Sequence, residues 1–309
     1  MEILDGSGSS LYMTCHRPVP NVQGMDIYGD WAFVLHDTGV CAVYDLITRS
    51  PNPLSVFPLG SYNSGKPTRD YLNHANSCMF GAVHWEDNPI PLLYVTVGAG
   101  IGCDEDGYFY RCAVENVQQR EDGSFFAQTI QTICYKPEGQ LPPGIVQPCW
   151  GSPCFLVDND TGYLYLFSAR YRTKRGCVPE GKENAYILTK FLLPNPAQGG
   201  MIHLRPEDIL DQFVVPSDVL FTQGGTIYGE KLYYTFGYPK GGYPLQILVF
   251  DLTSKTLCAQ VENLTESFRG EEIECCGIYR NRLLCNTCDG SIFALEEGSL
   301  PPVITIGRG

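Results

Sequence analysis

Positive charge is scarce in this chain: 21 lysines and arginines stand against 34 aspartates and glutamates over 309 residues, a formal net charge of −13. A nucleic-acid backbone or an anionic membrane surface would meet a repulsive field, so neither is expected as a partner. Long apolar runs are lacking too. No stretch of about 18 apolar residues is present to span a bilayer as a helix, and residues 1–10 are too polar for the apolar centre of a signal peptide. On these grounds a soluble, cytoplasmic chain is expected, a leader removed earlier being the alternative. Amphipathic stretches at helical spacing are missing as well. Instead, 33 glycines and 22 prolines punctuate many short apolar runs rich in tyrosine, the composition of an all-β chain. At this length a closed β architecture fits one domain, residues 1–309.

Cysteine is abundant, with 14 residues scattered through apolar strands, as at Cys41, Cys78, Cys112 and Cys154. In a large chain that placement reads as buried free thiols. Cys275, Cys276, Cys285 and Cys288 stand closer together, and the last pair has the spacing of zinc and redox centres. In a hairpin turning at Arg280 and Asn281, however, Cys276 faces Cys285 while Cys275 and Cys288 fall out of register. Four sulfurs then do not converge on one ion. Packed thiols are expected ahead of a cross-strand disulfide or zinc, and neither a metal nor a cofactor is expected.

An internal repeat organises the chain. Gln23-Gly24-Met25-Asp26-Ile27-Tyr28-Gly29-Asp30 precedes the apolar run 31–35, and Gln223-Gly224-Gly225-Thr226-Ile227-Tyr228-Gly229-Glu230 precedes 231–236. A third copy, Glu274-Cys275-Cys276-Gly277-Ile278-Tyr279-Arg280-Asn281, keeps the Ile-Tyr pair and the two-residue polar turn that closes hairpins. Weaker copies begin near His74 and Trp150. Each hairpin is followed by a third apolar strand and a fourth, more polar one. The fourth strand of the last unit is expected at 302–306, because Ser299-Leu300-Pro301-Pro302-Val303 echoes Ser50-Pro51-Asn52-Pro53-Leu54. Residues 1–19 are left as an N-terminal arm, whose segment 11–17 is expected to pair with an outer edge and cover it.

Five four-stranded antiparallel units, apolar on both strand faces, are what the blades of a five-bladed β-propeller require, since each blade packs against two neighbours. A solenoid would repeat at shorter, even spacing, and a sandwich would not repeat one hairpin sequence. Through these hairpins the chain resembles five-bladed β-propellers, including bacterial propeller proteins without an assigned activity and, more distantly, five-bladed glycosidases. The resemblance implies that the loops before each innermost strand and those joining second to third strands share one face, the face that carries function. The second-to-third loops are long at 98–106, 171–184 and 237–243, whereas most first-to-second turns are tight.

That face is expected to present Gln23, His74, Asn76, Trp150, Gln223 and Glu274, with Arg172, Lys174, Tyr238 and Tyr243 reaching in from loops. Amides, an imidazole, an indole and a carboxyl suit a polar small molecule, a glycan or a peptide. The bland alternative is that polar rim residues only bond neighbouring blades. The glycosidase pattern implies carboxylates on successive inner strands, one protonating the leaving oxygen and one attacking or activating water. This chain departs from it by offering His74 and Asn76 in the second unit, which leaves Glu272, Glu274 and Asp26 as catalytic candidates. A binding or scaffold propeller is therefore the expected function, with a glycoside-processing enzyme as the alternative.

Overall fold

The computed structural model describes residues 1–62, 74–97, 109–172 and 179–296, and the side chains of 109, 110, 151 and 152 fall outside that description. It is a five-bladed β-propeller. Blade one comprises Val22–Tyr28, Trp31–His36, Val40–Asp45 and Ser55–Pro58. Blade two comprises Ser77–His84, Pro91–Thr96, Phe109–Gln119 and Phe125–Tyr135. Blade three comprises Trp150–Asp158, Tyr163–Ala169, Tyr186–Leu192 and Asp211–Val215. Blade four comprises Thr222–Tyr228, Lys231–Tyr238, Tyr243–Asp251 and Thr256–Glu262. Blade five takes Ile273–Tyr279, Arg282–Thr287 and Ser291–Ala294 from the end of the chain. The five innermost strands touch in a closed ring, one after the next and the fifth against the first.

The outer strand of blade five is Ser10–Thr14, antiparallel to Ser291–Ala294 with Ser10 opposite Ala294 and Thr14 opposite Ser291. The segment 302–306, expected in that place, lies outside the described residues. An N-terminal strand closes the ring by hydrogen-bonding the first part of the chain to the last, and it leads directly into blade one. Two further strands depart from the expected count of four. Glu2–Asp5 adds in parallel to the outer edge of blade four, and Gly200–Leu204 does the same to blade two. Each covers a row of backbone groups that would otherwise stand open as an edge.

Packing explains why the strands read as apolar on both faces. Along the second strand of blade one, Phe33 and Leu35 pack with Phe80, Leu93 and Val95 of blade two. Ala32 and Val34 pack on the other side with Tyr279, Leu284 and Ile292 of blade five. Between blades three and four, Phe167 stacks on Tyr234 with ring centroids 4.0 Å apart. No disulfide joins the described cysteines, and most of them are buried in these interblade layers. Cys276 does stand opposite Cys285. No helix among the described residues is long and apolar enough to cross a membrane.

The repeat has a steric origin. Gly24 donates its N–H to the Ala75 carbonyl of blade two at 2.9 Å, and a Cβ there would lie 3.0 Å from the Ser77 backbone. At Gly224 a Cβ would meet Cys275 Sγ at 2.6 Å and the Glu274 carbonyl at 2.9 Å. The Gln-Gly step thus lets neighbouring innermost strands approach at the channel. At the other end, Gly229 and Glu230 both have positive φ, as do Arg280 and Asn281, which is the backbone of a two-residue hairpin turn.

Candidate functional site

The innermost strands of blades one, three, four and five share an irregularity where they begin. Pairing with the second strand breaks between Val22 and Met25, between Trp150 and Cys154, between Thr222 and Gly225, and between Ile273 and Cys275. A bulge of this kind re-aims a side chain and ends regular pairing. Gln23, Gln223 and Glu274 fall within these breaks, at the loop-rich end of the central channel.

The rim residues resolve into local groups. His74 Nδ1 lies 3.1 Å from Asp37 Oδ1, joining blade two to the second-to-third link of blade one. Asn76 nearby has its side-chain oxygen buried without a hydrogen-bond partner among the described residues. The Gln23 carbonyl accepts a hydrogen bond from Asn286 Nδ2 at 2.6 Å, tying blade one to blade five. The Arg172 guanidinium sits 5.1 Å from the Trp150 ring centroid, a cation–π contact that occupies one face of the indole. Lys174 and the loop 98–106 lie outside the described residues.

Blades four and five supply the densest group. Gln223 Nε2 donates to Glu272 Oε1 at 2.6 Å. An oxygen of Glu272, an oxygen of Glu274 and Cys288 Sγ all lie within 4.8 Å of one another. Burial pushes the Glu272 carboxyl up, opposed by the hydrogen bond from Gln223. Burial, followed by the proximity of Glu272 and Asp289, holds Glu274 well above the usual carboxylate range. The Cys288 thiol is pushed up to about 11, again mainly by burial.

Beside this group stands an aromatic surface of which the sequence pattern marks only two members. Tyr238 and Tyr243 pair across the link between the second and third strands of blade four. Phe221 lies against both, with centroids 5.4 Å from Tyr238 and 4.4 Å from Tyr243. Phe221 is 43% exposed and Tyr243 37%. Phe221 also has φ +62, a left-handed backbone uncommon for an aromatic residue. Its position just before the Gln-Gly step of blade four was the available signal.

Asp26 is not part of this end. Strand rise carries it about 10 Å along from Gln23, and it lines a cavity of about 670 Å³ on the tight-turn side with Tyr28, Asn159, Thr226, Tyr228 and Asn281. The three carboxyls singled out in the sequence therefore do not form one set, because residues within one strand can serve opposite ends of a channel. Asp26 Oδ2 accepts the Phe80 N–H at 2.6 Å, and burial raises its pKa to about 7 against the pull of that bond. Asn159 donates Nδ2 to the Phe80 carbonyl at 2.8 Å, while its side-chain oxygen is buried without a hydrogen-bond partner among the described residues. The sequence does not announce this cavity because its lining comes from strand middles and tight turns, whose residues look structural one by one.

No protein-family model and no curated protein matches the chain. Among solved structures it is similar to a glutaminyl cyclase of Myxococcus xanthus, 11% identical over 95% of this chain and 96% of that one, with a TM-score of 0.48. A computationally designed protein is 7% identical over 93% of this chain and 100% of that one, with a TM-score of 0.41. The Swd1 β-propeller domain of Myceliophteria thermophila is 9% identical over 93% and 100%, also with a TM-score of 0.41.

Proposed function

We propose that this chain is a binding propeller that takes a polar ligand, with a glycan preferred over a small molecule or peptide, at the loop-rich mouth of its channel. The observation that carries this reading is the exposed Phe221–Tyr243 surface, set two residues along the chain from Gln223 and its bond to Glu272. A sugar offers an apolar C–H face and a polar edge. Aromatic rings take the first, and amide and carboxyl groups take the second. The left-handed backbone at Phe221 fits, because strain of that kind is kept where an exposed side chain is needed in one orientation.

The test is calorimetric titration of the wild-type chain with a panel of glycans, polar metabolites and short peptides, followed by the best ligand against Tyr243→Ala and Phe221→Ala. Each substitution is expected to remove roughly 1–3 kcal/mol of affinity, the range for an aromatic anchor. Absence of any ligand across the panel, or affinity unchanged in both variants, would sink the reading.

One observation favours a second reading, glycoside cleavage. Oxygens of Glu272 and Glu274 approach within 4.8 Å, near the carboxyl separation of about 5–5.5 Å used when one acid attacks and the other protonates. Glu274→Gln separates the two readings. A binding module keeps its fold and most of its affinity, whereas an enzyme relying on that acid loses turnover by orders of magnitude.

A further inference from the structure

The sequence sets Cys288 aside because its sulfur has no partner sulfurs in register. The fold gives it different company. Glu272 lies in the link that leads into the innermost strand of blade five, Glu274 lies in the bulge where that strand begins, and Cys288 follows directly on the second strand. The Cys288 N–H donates to the Glu272 carbonyl at 3.0 Å, locking the two segments side by side. The three donor atoms then meet within 4.8 Å.

A second observation bears on what they meet around. Glu274 is only 5% exposed, yet among the described residues no hydrogen-bond donor reaches its carboxyl, and neither Glu274 nor Glu272 has an ion-pair partner. Buried polar groups are as a rule partnered, and a buried charge is paired or holds a metal. Among the described residues, Glu274 is thus a largely buried carboxyl gathered with two further metal-ligating groups and without a hydrogen-bond or ion-pair partner. Asp26, equally buried, differs in having the Phe80 N–H.

We propose that Glu272, Glu274 and Cys288 bind one divalent cation of the zinc class at the loop-rich mouth. The donor set selects the class. A thiolate disfavours the hard ions calcium and magnesium, whereas two carboxylate oxygens and one sulfur suit Zn²⁺ or Co²⁺. Tetrahedral bonds of about 2.0–2.3 Å place ligand atoms roughly 3.3–3.5 Å apart, so the three close in by about 1 Å through side-chain rotation. Gln223 fixes one oxygen of Glu272 from outside the set, the role that orienting partners play at metal centres. Three protein ligands leave a fourth position open for an exchangeable oxygen donor. The inference stands apart from the organic ligand proposed above and is tested without one.

The experiment uses the full chain, reduced and stripped with a chelator, then titrated with Co²⁺ while thiolate-to-cobalt charge-transfer absorption is followed. The expected result is saturation at one equivalent, displacement by Zn²⁺, and no displacement by equal Ca²⁺ or Mg²⁺. Cys288→Ser should abolish the charge-transfer band, and Glu272→Gln, at a half-buried position, should weaken binding by about tenfold or more. Cys258→Ser, which alters a half-buried thiol on blade four, should leave the band intact. No stoichiometric binding by the wild type, a band that survives in Cys288→Ser, or Ca²⁺ competing equally with Zn²⁺ would each overturn the proposal.

Discussion

The two ends of the channel each hold a buried carboxyl, and the two carboxyls are treated differently. At the tight-turn end, Asp26 accepts the Phe80 N–H and thereby links blade one to blade two. At the loop-rich end, Glu274 receives no hydrogen bond from the described residues and faces Glu272 and Cys288. Burial raises both pKa values, but only Asp26 has a structural reason to be there. A polar group that bonds a neighbouring blade is part of the scaffold, and one left without a partner is available for a ligand. The surroundings agree with that division. The tight-turn end is built of short hairpin turns, and the loop-rich end carries the exposed aromatic rings of Phe221 and Tyr243.

The largest expected difference between the two ends lies in the pH dependence of stability. The folded-state pKa of Asp26, about 7, lies above its ordinary value of 3.8, so the unfolded chain loses this proton first as pH rises. The resulting stability is full below about pH 4 and is lost as pH climbs through 7. Asp26→Asn keeps an oxygen for the Phe80 N–H without a charge. It should therefore be more stable than wild type at pH 8, by about 2–4 kcal/mol, with the advantage vanishing near pH 4. Urea denaturation at the two pH values measures it, and a destabilised variant at pH 8 would mean that the carboxylate itself is needed. Glu274→Gln should also gain with rising pH, because burial and the neighbouring acids raise its pKa too.

Next in size is the split in ligand affinity between the ends. Trp150→Ala at the loop-rich rim should cost roughly 1–3 kcal/mol of binding, while Tyr228→Ala in the tight-turn cavity should leave affinity unchanged. The reverse result would move the site to the cavity of about 670 Å³. A smaller effect belongs to the turns. Gly29 has φ +59, and a Cβ added there would meet no atom within 4 Å, so Gly29→Ala should lower stability through backbone strain alone. The expected loss is about 1 kcal/mol. Thermal unfolding reports it, and ligand affinity should not move. Thiol modification gives the finest distinction. Half-buried Cys288 and Cys258 should react before buried Cys41, Cys78 and Cys276, which should require unfolding. Rapid labelling of the buried set in the native protein would contradict this interblade packing.

Much of this architecture is legible in the chain. The repeated Gln-Gly-x-x-Ile-Tyr unit encodes a close approach of inner strands followed by a hairpin turn, both of them local requirements on backbone and Cβ space. Apolar residues on both faces of each strand announce packing between two neighbours. The candidate site was legible only in part. Gln223, Glu272, Tyr238 and Tyr243 stand out as polar or aromatic residues flanking strands, whereas Phe221 looks like one more apolar residue until its backbone and exposure are known.

Short-range periodicity and turn chemistry are enough to set the element types, the number of blades and the division into a tight face and a loop-rich face. Tertiary structure alone decided which strand closes the ring, which end of the channel Asp26 serves, and that Cys288 meets two carboxyls. Pairing of Ser10–Thr14 with Ser291–Ala294 joins segments nearly the whole chain apart, and an edge strand's hydrogen bonds carry no record of their partner. The meeting of Cys288 with Glu272 and Glu274 depends likewise on a bulge and a backbone bond between segments, whose consequence for side-chain direction appears only once the sheet is formed.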